Sequence, residues 1–483
     1  MNRRTGWALA TILVTAALLR MVGLGGLALI SDESYYWLWS QRLDWAYYDH
    51  PAGIALLVRA STALGGPGEV GVRWLNGLLG IGCVLLTYRL GRRMVSRRAG
   101  LFAAALVATG APYLVISRFV YTNVLHLFLL LLNLYAFWHL VEQPKPRLGT
   151  LAAFGASLAL LFNTKYSAYV YAGALSVAVL MDHRRLLAER RFWAGALIGA
   201  LGLAPVVAWN AGHGWASFRW QLSHATAGAV GPAGLLGNAR HAIVYLTWPL
   251  VALALAGVGR VRTRAERLLS LVALFLLLPV ALSPANSPRN LTDGLVPLLL
   301  LAGARLPPAL QDGRRRAVAT VLAGLLLMTA VYGAGTVANL SRPAPWPHSS
   351  AASTIRKDAA GWRDLGPILA TLPAPVFALD YSVAAQVWYY AGIPAYTAWG
   401  QYRIWGIPDL EEATIVSLDY LPADEVSARL GEAFQHVEGP QSVRYTGRGV
   451  TKEVRVWQAR GLQWDLETFL QRFDFLTLLE AAR

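Results

Sequence analysis

The sequence has few charged residues and almost no cysteine. Charged residues make up 14% of the 483 positions, against about 25% in soluble globular proteins. Hydrophobic residues make up 55%, and the mean hydropathy is +0.42. The single cysteine, Cys83, excludes an intrachain disulfide and a metal site built from cysteines. This composition predicts a protein that is solvated largely by lipid.

Long apolar windows predict helices that cross a membrane, for which about 20 mainly apolar residues are needed. Eleven windows are found, of which the fifth, sixth and tenth are short: 7–30, 74–91, 99–117, 122–141, 148–164, 166–181, 192–210, 239–259, 267–283, 291–304 and 317–339. We interpret the first as a retained span and not as a cleaved signal peptide, because the apolar stretch is long and no clear small-x-small cleavage site precedes Ser31.

The positions of the basic residues predict the orientation of the chain. A net charge of +16 could indicate a nucleic-acid partner. However, the basic residues concentrate in every second connection: Arg3/Arg4, Arg92/Arg93/Arg97/Arg98, Lys145/Arg147, Arg184/Arg185/Arg190/Arg191, Arg260/Arg262/Arg264/Arg267 and Arg305/Arg314/Arg315/Arg316. By the positive-inside rule these connections and the N-terminus are cytoplasmic. No nucleic-acid partner is therefore expected, and membrane lipids are the expected surroundings.

The composition changes after residue 339, where spanning runs end. A proline-rich stretch at 342–347 is followed by mixed charged and apolar segments. The pattern predicts two strands and two helices, at Pro373–Leu379, Thr414–Leu418, Asp358–Leu372 and Asp424–Phe434. We therefore predict a transmembrane catalytic domain at 1–339 and a small α/β domain at 340–483 on the non-cytoplasmic side.

The first outer loop, 31–73, carries the densest group of reactive side chains. Asp32 and Glu33 are adjacent carboxylates at the exit of a membrane helix, which suits a general base. They could equally be acids in the first turn of a helix that starts near Ser31. A run of aromatic residues then leads to Asp49-His50 before a rigid proline. The combination predicts a pocket for a carbohydrate or a phosphate.

This loop resembles the first periplasmic loop of the bacterial family 39 C-type (GT-C) glycosyltransferases, the protein-mannosyltransferase and aminoarabinose-transferase-like (PMT/ArnT-like) enzymes. Three later segments are also similar to family segments: Asn163–Ala168, Trp209–Phe218 and Gln401–Trp405. The resemblance implies a GT-C fold and transfer of a sugar, with inversion, from a polyprenyl-phosphate carrier. The acceptor would be a lipid, a glycan or a protein outside the cytoplasm, and the enzyme would lie in the bacterial inner membrane.

The resemblance also implies roles for individual residues. Asp32 would be the catalytic base with Glu33 beside it. His50 would stand where some relatives carry a lysine that contacts the donor phosphate. Independently of the resemblance, Lys165, Arg118 and Arg289 fall in short outer connections, where a cation can bind the donor phosphate. The substrate pocket would be lined by Asp49, Tyr35, Tyr36, Tyr48 and Tyr166. The structural alternative for each of these cations is anchoring at the membrane interface.

The sequence departs from the family pattern at three places. Asn123 follows Thr122 where relatives carry Thr-Pro-Asp, so an acid is missing that could bind metal or substrate. Ala52 replaces a proline after His50-Pro51, and Asn290 replaces an aromatic residue after Arg289. The missing acid weakens a metal-dependent mechanism. No cofactor is expected, although a divalent metal stays open.

A polytopic transporter or flippase of a lipid-linked or polyanionic substrate is the alternative function, and a non-catalytic assembly protein is a third. Arg20, near the middle of the first span, favours a transporter because buried charges mark transport pathways. Charges otherwise concentrate in the connections between the spans. His126 and Asn133 share a face of the fourth span, where hydrogen bonds between helices are expected.

Overall fold

The computed structural model describes residues 3–226, 232–283, 287–309, 315–341, 343, 347–447 and 449–474. They pack into two units. The helical unit comprises the described residues of Met1–Leu24, Leu43–Asn339 and Ala344–Ala352, and the sheet unit those of Gly25–Arg42, Leu340–Pro343 and Ser353–Arg483. Most of the predicted proline-rich stretch lies outside the described residues. The segment Gly25–Arg42 packs with C-terminal residues, whereas the predicted domain ranges assign it to the transmembrane part.

The helices of the first half are α1 (Arg3–Met21), α2 (Ser31–Gln41), α3 (Gly53–Gly65), α4 (Glu69–Met94), α5 (Arg97–Thr109), α6 (Ala111–Arg118), α7 (Thr122–Glu142), α8 (Leu148–Phe162), α9 (Ser167–Asp182), α10 (Arg190–Leu201), α11 (Ala204–Gly212) and α12 (Ala216–Thr226). Those of the second half are α13 (Pro232–Leu246), α14 (Trp248–Leu255), α15 (Arg264–Leu282), α16 (Thr292–Ala309), α17 (Arg315–Ser341), α18 (Ser350–Ala359), α19 (Trp362–Leu369), α20 (Tyr381–Ala391), α21 (Gly400–Trp405), α22 (Ala423–Ala433) and α23 (Leu466–Arg472). Short 3-10 turns occur at Leu24–Gly26, Arg184–Ala188 and Pro288–Leu291.

Six helices of the described chain are long and apolar enough to cross a membrane: Arg3–Gly26, Glu69–Met94, Thr122–Glu142, Arg190–Gly212, Arg264–Leu282 and Ala319–Ser341. The pair α5 and α6 adds a seventh if it counts as one span, although it bends by 59°. Shorter apolar helices are α3, α8 and α9. The protein is thus a multi-pass helical membrane protein, and eleven spans stay a prediction.

Two predicted windows are broken helices. The window 99–117 is interrupted at Gly110, because Pro112 lies in the first turn of α6 and has no N–H to continue α5. The window 239–259 is interrupted at Thr247, before Pro249 at the start of α14. A periodicity argument alone does not detect such breaks, since the flanking residues stay apolar.

Three arginines donate hydrogen bonds to backbone carbonyls at the ends of α1 and α5: Arg20, Arg73 and Arg118. Arg20 donates to the Val107 and Ala108 oxygens at 2.7 and 2.8 Å. The Ala108 carbonyl would otherwise face Pro112, which has no N–H. Arg118 donates to the carbonyls of three residues around the end of α1, and Arg73 to that of Leu24 at 2.7 Å. All three side chains are buried. We call them the arginine cluster.

Helices α4 and α5 approach each other through glycine. A Cβ added at Gly91 would lie 2.5 Å from the Gly100 Cα and 2.6 Å from a Leu300 methyl carbon. Small residues at such contacts let membrane helices pack backbone to backbone. The expected polar contacts of α7 are also confirmed: His126 reaches the Thr164 hydroxyl at 2.9 Å, and Asn133 donates to the Phe154 carbonyl at 2.9 Å.

The sheet unit contains strands β1 (Val376–Ala378), β2 (Ala395–Tyr396), β3 (Glu412–Leu418), β4 (Phe434–Gly447) and β5 (Val450–Leu462), in the order β2-β1-β3-β5-β4. Strand β1 is parallel to β2 and β3, whereas β5 is antiparallel to β3 and β4. Phe377, Ile415, Trp457 and Phe469 belong to its buried core. The two predicted strands correspond to β1 and β3. The predicted helix 358–372 is divided at Gly361, which has φ +86°.

Replacing Arg20 by methionine tests the arginine cluster. The change leaves two buried carbonyls without their donor, and we expect the free energy of unfolding to fall by about 2–4 kcal/mol. Val14→Ala is the matched control, because Val14 lies on the same helix and is 59% exposed. Thermal and denaturant unfolding in one detergent give the comparison. If Arg20→Met is as stable as Val14→Ala, the proposed capping role of Arg20 is wrong.

Candidate functional site

The first turn of α2 is anchored by Asp358. The Ser31 backbone N–H donates to Asp358 Oδ2 at 3.0 Å, and the Ser31 hydroxyl to Oδ1 at 2.5 Å. Lys452 donates to the Asp358 carbonyl at 2.6 Å and lies 4.4 Å from the Trp362 ring centroid. Burial raises the pKa of Asp358 and lowers the pKa of Lys452 to about 8. These contacts fix the turn that carries Asp32, which is half-buried.

Glu33 lies at the beginning of α2 as a helix-capping residue. Its Oε2 accepts the Ile30 backbone N–H at 3.0 Å, and the side chain is buried. A carboxylate at this position also interacts favourably with the helix dipole. The contact agrees with the structural alternative for Glu33, while its catalytic role stays a prediction.

Tyr35 and Tyr36 lie in an aromatic cluster of the sheet unit. The Tyr35 ring stacks on Tyr402 at 6.0 Å between centroids and contacts Tyr381 at 5.0 Å. Tyr36 contacts Trp39 at 5.1 Å. Both tyrosines are buried, at 3% and 4% exposure. The cluster joins α2 to the segment Gln401–Trp405, so these rings contribute packing where a pocket lining was predicted.

In the helical unit, Asp49 and His50 lie in a tight turn. A β-bridge joins Ala46 to Pro51, and the Tyr47 N–H donates to the His50 carbonyl at 2.9 Å. The side-chain amide of Gln221 donates to the Asp49 carbonyl at 2.6 Å. The Tyr48 ring lies 5.4 Å from that of Trp220. Helix α12 therefore holds the turn in place.

Gly53 connects this turn to the segment that carries Lys165. Its N–H donates to the Asn163 carbonyl at 2.7 Å. A Cβ at position 53 would lie 2.5 Å from the same oxygen. Only a glycine permits this approach of two backbones. The turn with His50 and the connection with Lys165, both predicted to bind phosphate, are therefore directly joined.

Lys165 lies in a buried polar cluster between α7, the α8–α9 connection and the start of α16. Its Nζ donates to Asn290 Oδ1 at 2.7 Å and lies 3.7 Å from Asp293 Oδ2. His126 Nε2 lies 3.9 Å from the same carboxylate oxygen. Asn123 donates to Asn290 Oδ1 at 3.3 Å. We call these five residues the lysine cluster.

Asp293 is the member of this cluster that sequence reasoning missed. It lies in the first turn of α16, inside a predicted span and outside the outer loops. Its place three residues after Asn290 is the sequence signal that indicates it, since Ser287-Pro288-Arg289-Asn290 resembles a family segment. The position predicted to lack an acid, Asn123, thus contacts a segment that supplies one.

The remaining predicted site residues occupy different surroundings. The Arg289 guanidinium lies 4.4 Å from the Tyr121 ring centroid. The Tyr166 hydroxyl bonds to that of Ser217. Arg118 directs both terminal nitrogens to backbone carbonyls around the end of α1. That geometry favours a structural role for Arg118 over its predicted phosphate contact.

A cavity of about 830 Å³ lies between α13, the end of α15 and the turn Pro288–Leu291. Apolar side chains form most of its wall, and polar groups come from Asn238, Arg240 and His241. The turn that borders this cavity also carries Asn290 of the lysine cluster. In the described part of the chain, no three His, Cys, Asp or Glu side chains come close enough together to form a metal site.

Known proteins match both the sequence and the fold. Residues 49–209 match the dolichyl-phosphate-mannose-protein mannosyltransferase family. The lipid A galacturonosyltransferase RgtD of Rhizobium johnstonii is 29% identical over 183 residues, which span 38% of this chain and 38% of that protein. ArnT from Cupriavidus metallidurans, bound to undecaprenyl phosphate, has a TM-score of 0.63 at 16% identity, covering 94% of this chain and 98% of its own.

A second solved structure is that of the archaeal oligosaccharyltransferase AglB from Archaeoglobus fulgidus, in complex with an inhibitory peptide and a dolichol-phosphate. Its TM-score is 0.55 at 11% identity, covering 99% of this chain and 78% of its own. Together with the apolar helices, these likenesses define a multi-pass membrane protein of the GT-C fold with a small C-terminal sheet. Part of the chain is thus similar to PMT/ArnT-like glycosyltransferases in sequence, and most of it is similar to them in fold.

Replacing Gly53 by alanine tests the junction between the two loops. The added Cβ would displace the Asn163 backbone, and we expect the free energy of unfolding to fall by about 1–3 kcal/mol. Gly68→Ala is the control, because no described atom lies within 4 Å of its added Cβ. Unfolding curves of both variants provide the measurement. Equal stability of the two variants would contradict the close approach at Gly53.

Proposed function

We propose that the protein transfers a sugar from a polyprenyl-phosphate donor to an acceptor outside the cytoplasm, with inversion at the anomeric carbon. The observation that carries the proposal is the lysine cluster. It contains a buried cation, Lys165, between the end of α8 and the start of α9. The adjoining turn, Pro288–Leu291, borders an apolar cavity. A lipid phosphate needs this combination, a cation for its head group and an apolar space for its chain.

The leaving group of such a donor is a phosphate, which is stabilised by positive charge and needs little acid catalysis. Lys165 would contact a phosphate oxygen with its Nζ. Arg289 and His50 would supply further donors. The cavity beside Pro288–Leu291 would take part of the polyprenyl chain. The relatives support this assignment, because ArnT is described bound to undecaprenyl phosphate and AglB with a dolichol-phosphate.

Asp32 is our candidate for the base. Its carboxylate would take the proton of the acceptor hydroxyl as that oxygen attacks the anomeric carbon. The bond between that carbon and the phosphate oxygen breaks at the same time, and the electron pair leaves with the polyprenyl phosphate. Attack from the face opposite the phosphate inverts the configuration. Asp358 supports the role by holding the turn that carries Asp32.

For the acceptor we propose a glycolipid of the lipid A type, because the curated relative is named a lipid A galacturonosyltransferase. We further propose that the enzyme lies in the bacterial inner membrane with its N-terminus in the cytoplasm and its C-terminal unit in the periplasm. The basic connections support that orientation. Arg20, the residue that favoured a transporter, donates hydrogen bonds from its terminal nitrogens to helix carbonyls.

Replacing Asp32 by asparagine tests the base. Removing the proton acceptor should lower the rate of sugar transfer by about 10²- to 10⁴-fold. Asp364→Asn is the matched control, since Asp364 is an exposed acid in the first turn of α19 in the same unit. Loss of a helix-dipole contact would affect both variants alike, whereas loss of the base affects Asp32→Asn alone. Transfer is measured with purified protein, a polyprenyl-phosphate sugar and extracted envelope lipids.

The result has a clear opposite. If Asp32→Asn transfers sugar as fast as Asp364→Asn, Asp32 is not the base. If the wild type transfers no sugar from any polyprenyl-phosphate donor tested, while it binds the carrier without turnover, the transferase proposal is wrong. Mass spectrometry of envelope lipids with and without the gene identifies the sugar and the acceptor from the mass difference.

A further inference from the structure

The carboxylate of Asp293 is buried and has one close cation. Its side chain is 1% exposed. Among the described residues, no donor lies within hydrogen-bond distance of either carboxylate oxygen. Lys165 Nζ at 3.7 Å and His126 Nε2 at 3.9 Å are its nearest basic groups. A carboxylate that is buried without hydrogen bonds is destabilising. A function of Asp293 would offset that cost.

Asp293 supplies the nearest counter-charge to the buried Lys165. Burial lowers the pKa of Lys165 and Arg289 lowers it further, whereas Asp293 raises it. Its hydrogen-bond acceptor, Asn290, is neutral and adds no charge. Asn123, which also contacts Asn290, is neutral as well. A lysine in these surroundings loses its proton more readily when its carboxylate partner is removed.

We propose that Asp293 is a positioning residue that keeps Lys165 protonated and oriented toward a lipid phosphate. The inference rests on the proposed function, because it assigns Lys165 to the phosphate. Asp293 touches neither donor nor acceptor in this scheme. It acts through the lysine, as a resident counter-ion that a phosphate joins on binding.

Other titratable groups face Asp293 from the neighbouring elements. His126 approaches from α7, and Arg289 lies in the turn before α16. Tyr113 of α6 donates to the Thr292 carbonyl at 3.1 Å, and Cys83 lies on α4. The ordinary pKa of a phenol, about 10, lies above pH 9. The Cys83 thiol is 2% exposed, and burial disfavours the charged thiolate. A change in charge of this cluster between pH 6.5 and 9 therefore falls to Lys165 or His126.

The experiment measures binding of undecaprenyl monophosphate to purified Asp293→Asn and wild-type protein between pH 6.5 and 9. At each pH the Kd of the variant is divided by the Kd of the wild type. This ratio cancels the titration of the phosphate itself, because both proteins bind the same lipid. We expect this ratio to increase at least about 10-fold over that range, because Lys165 deprotonates in the variant. Asp182→Asn is the matched control. Asp182 pairs with Arg267 at 3.2 Å in the same unit, and its ratio should stay constant.

Rescue by arginine separates charge from shape. Arginine stays protonated throughout this range, so Asp293→Asn/Lys165→Arg should have a ratio that does not change with pH. A merely structural role for Asp293 would weaken binding equally at every pH in both variants. If the Kd ratio of the single variant Asp293→Asn does not change with pH, the inference is overturned and the proposed function is unaffected. Wild-type binding that Lys165→Met does not weaken overturns the phosphate assignment instead.

If Asp293→Asn does not fold, the pair is tested from the other side with Lys165→Met. That change leaves Asp293 as a buried carboxylate without its cation, which is disfavoured when ionised. The Tm of Lys165→Met should therefore fall relative to wild type as the pH rises from 5 to 8. Parallel Tm profiles would overturn the inference, since Asp293 and Lys165 would then not be coupled. This readout needs no lipid and is independent of the proposed function.

Discussion

The need to satisfy backbone carbonyls inside a membrane governs this structure. Lipid offers no donors, so each broken helix exposes carbonyls that the protein itself must pair. Breaks at Gly110 and near Met21 create such groups, and the arginine cluster supplies donors from three directions. The arginine cluster therefore stabilises the two breaks.

Charge is used differently at the two centres of the helical unit. In the arginine cluster, guanidinium groups meet neutral carbonyls, and the described hydrogen bonds are short and numerous. In the lysine cluster, a single ammonium meets one amide oxygen and one distant carboxylate. The first arrangement directs terminal guanidinium nitrogens to backbone carbonyls, so it suits a scaffold. The second leaves donors of Lys165 for an additional anion, so it suits a binding site.

The sequence predicted the fold, the membrane character and the C-terminal strands β1 and β3, because apolar runs and motif spacing report these directly. It assigned Arg118 to a phosphate, since position in a loop does not reveal which acceptors a side chain reaches. It missed Asp293, because an acid at the start of an apolar window reads as a helix-terminal residue. It also missed β4 and β5, whose mixed charged and apolar residues give a weak strand signal. Contacts between distant segments decided each of these cases.

The burial of Cys83 has a practical consequence for topology. The native thiol is 2% exposed on α4, among side chains of the bundle. A cysteine introduced into any connection would therefore be the one readily labelled thiol of the chain, without removal of the native residue. Membrane-impermeant maleimides applied to intact cells could then assign each connection to its side of the membrane. Because Cys83 is buried, labelling of the native protein would be low and would not interfere with such mapping.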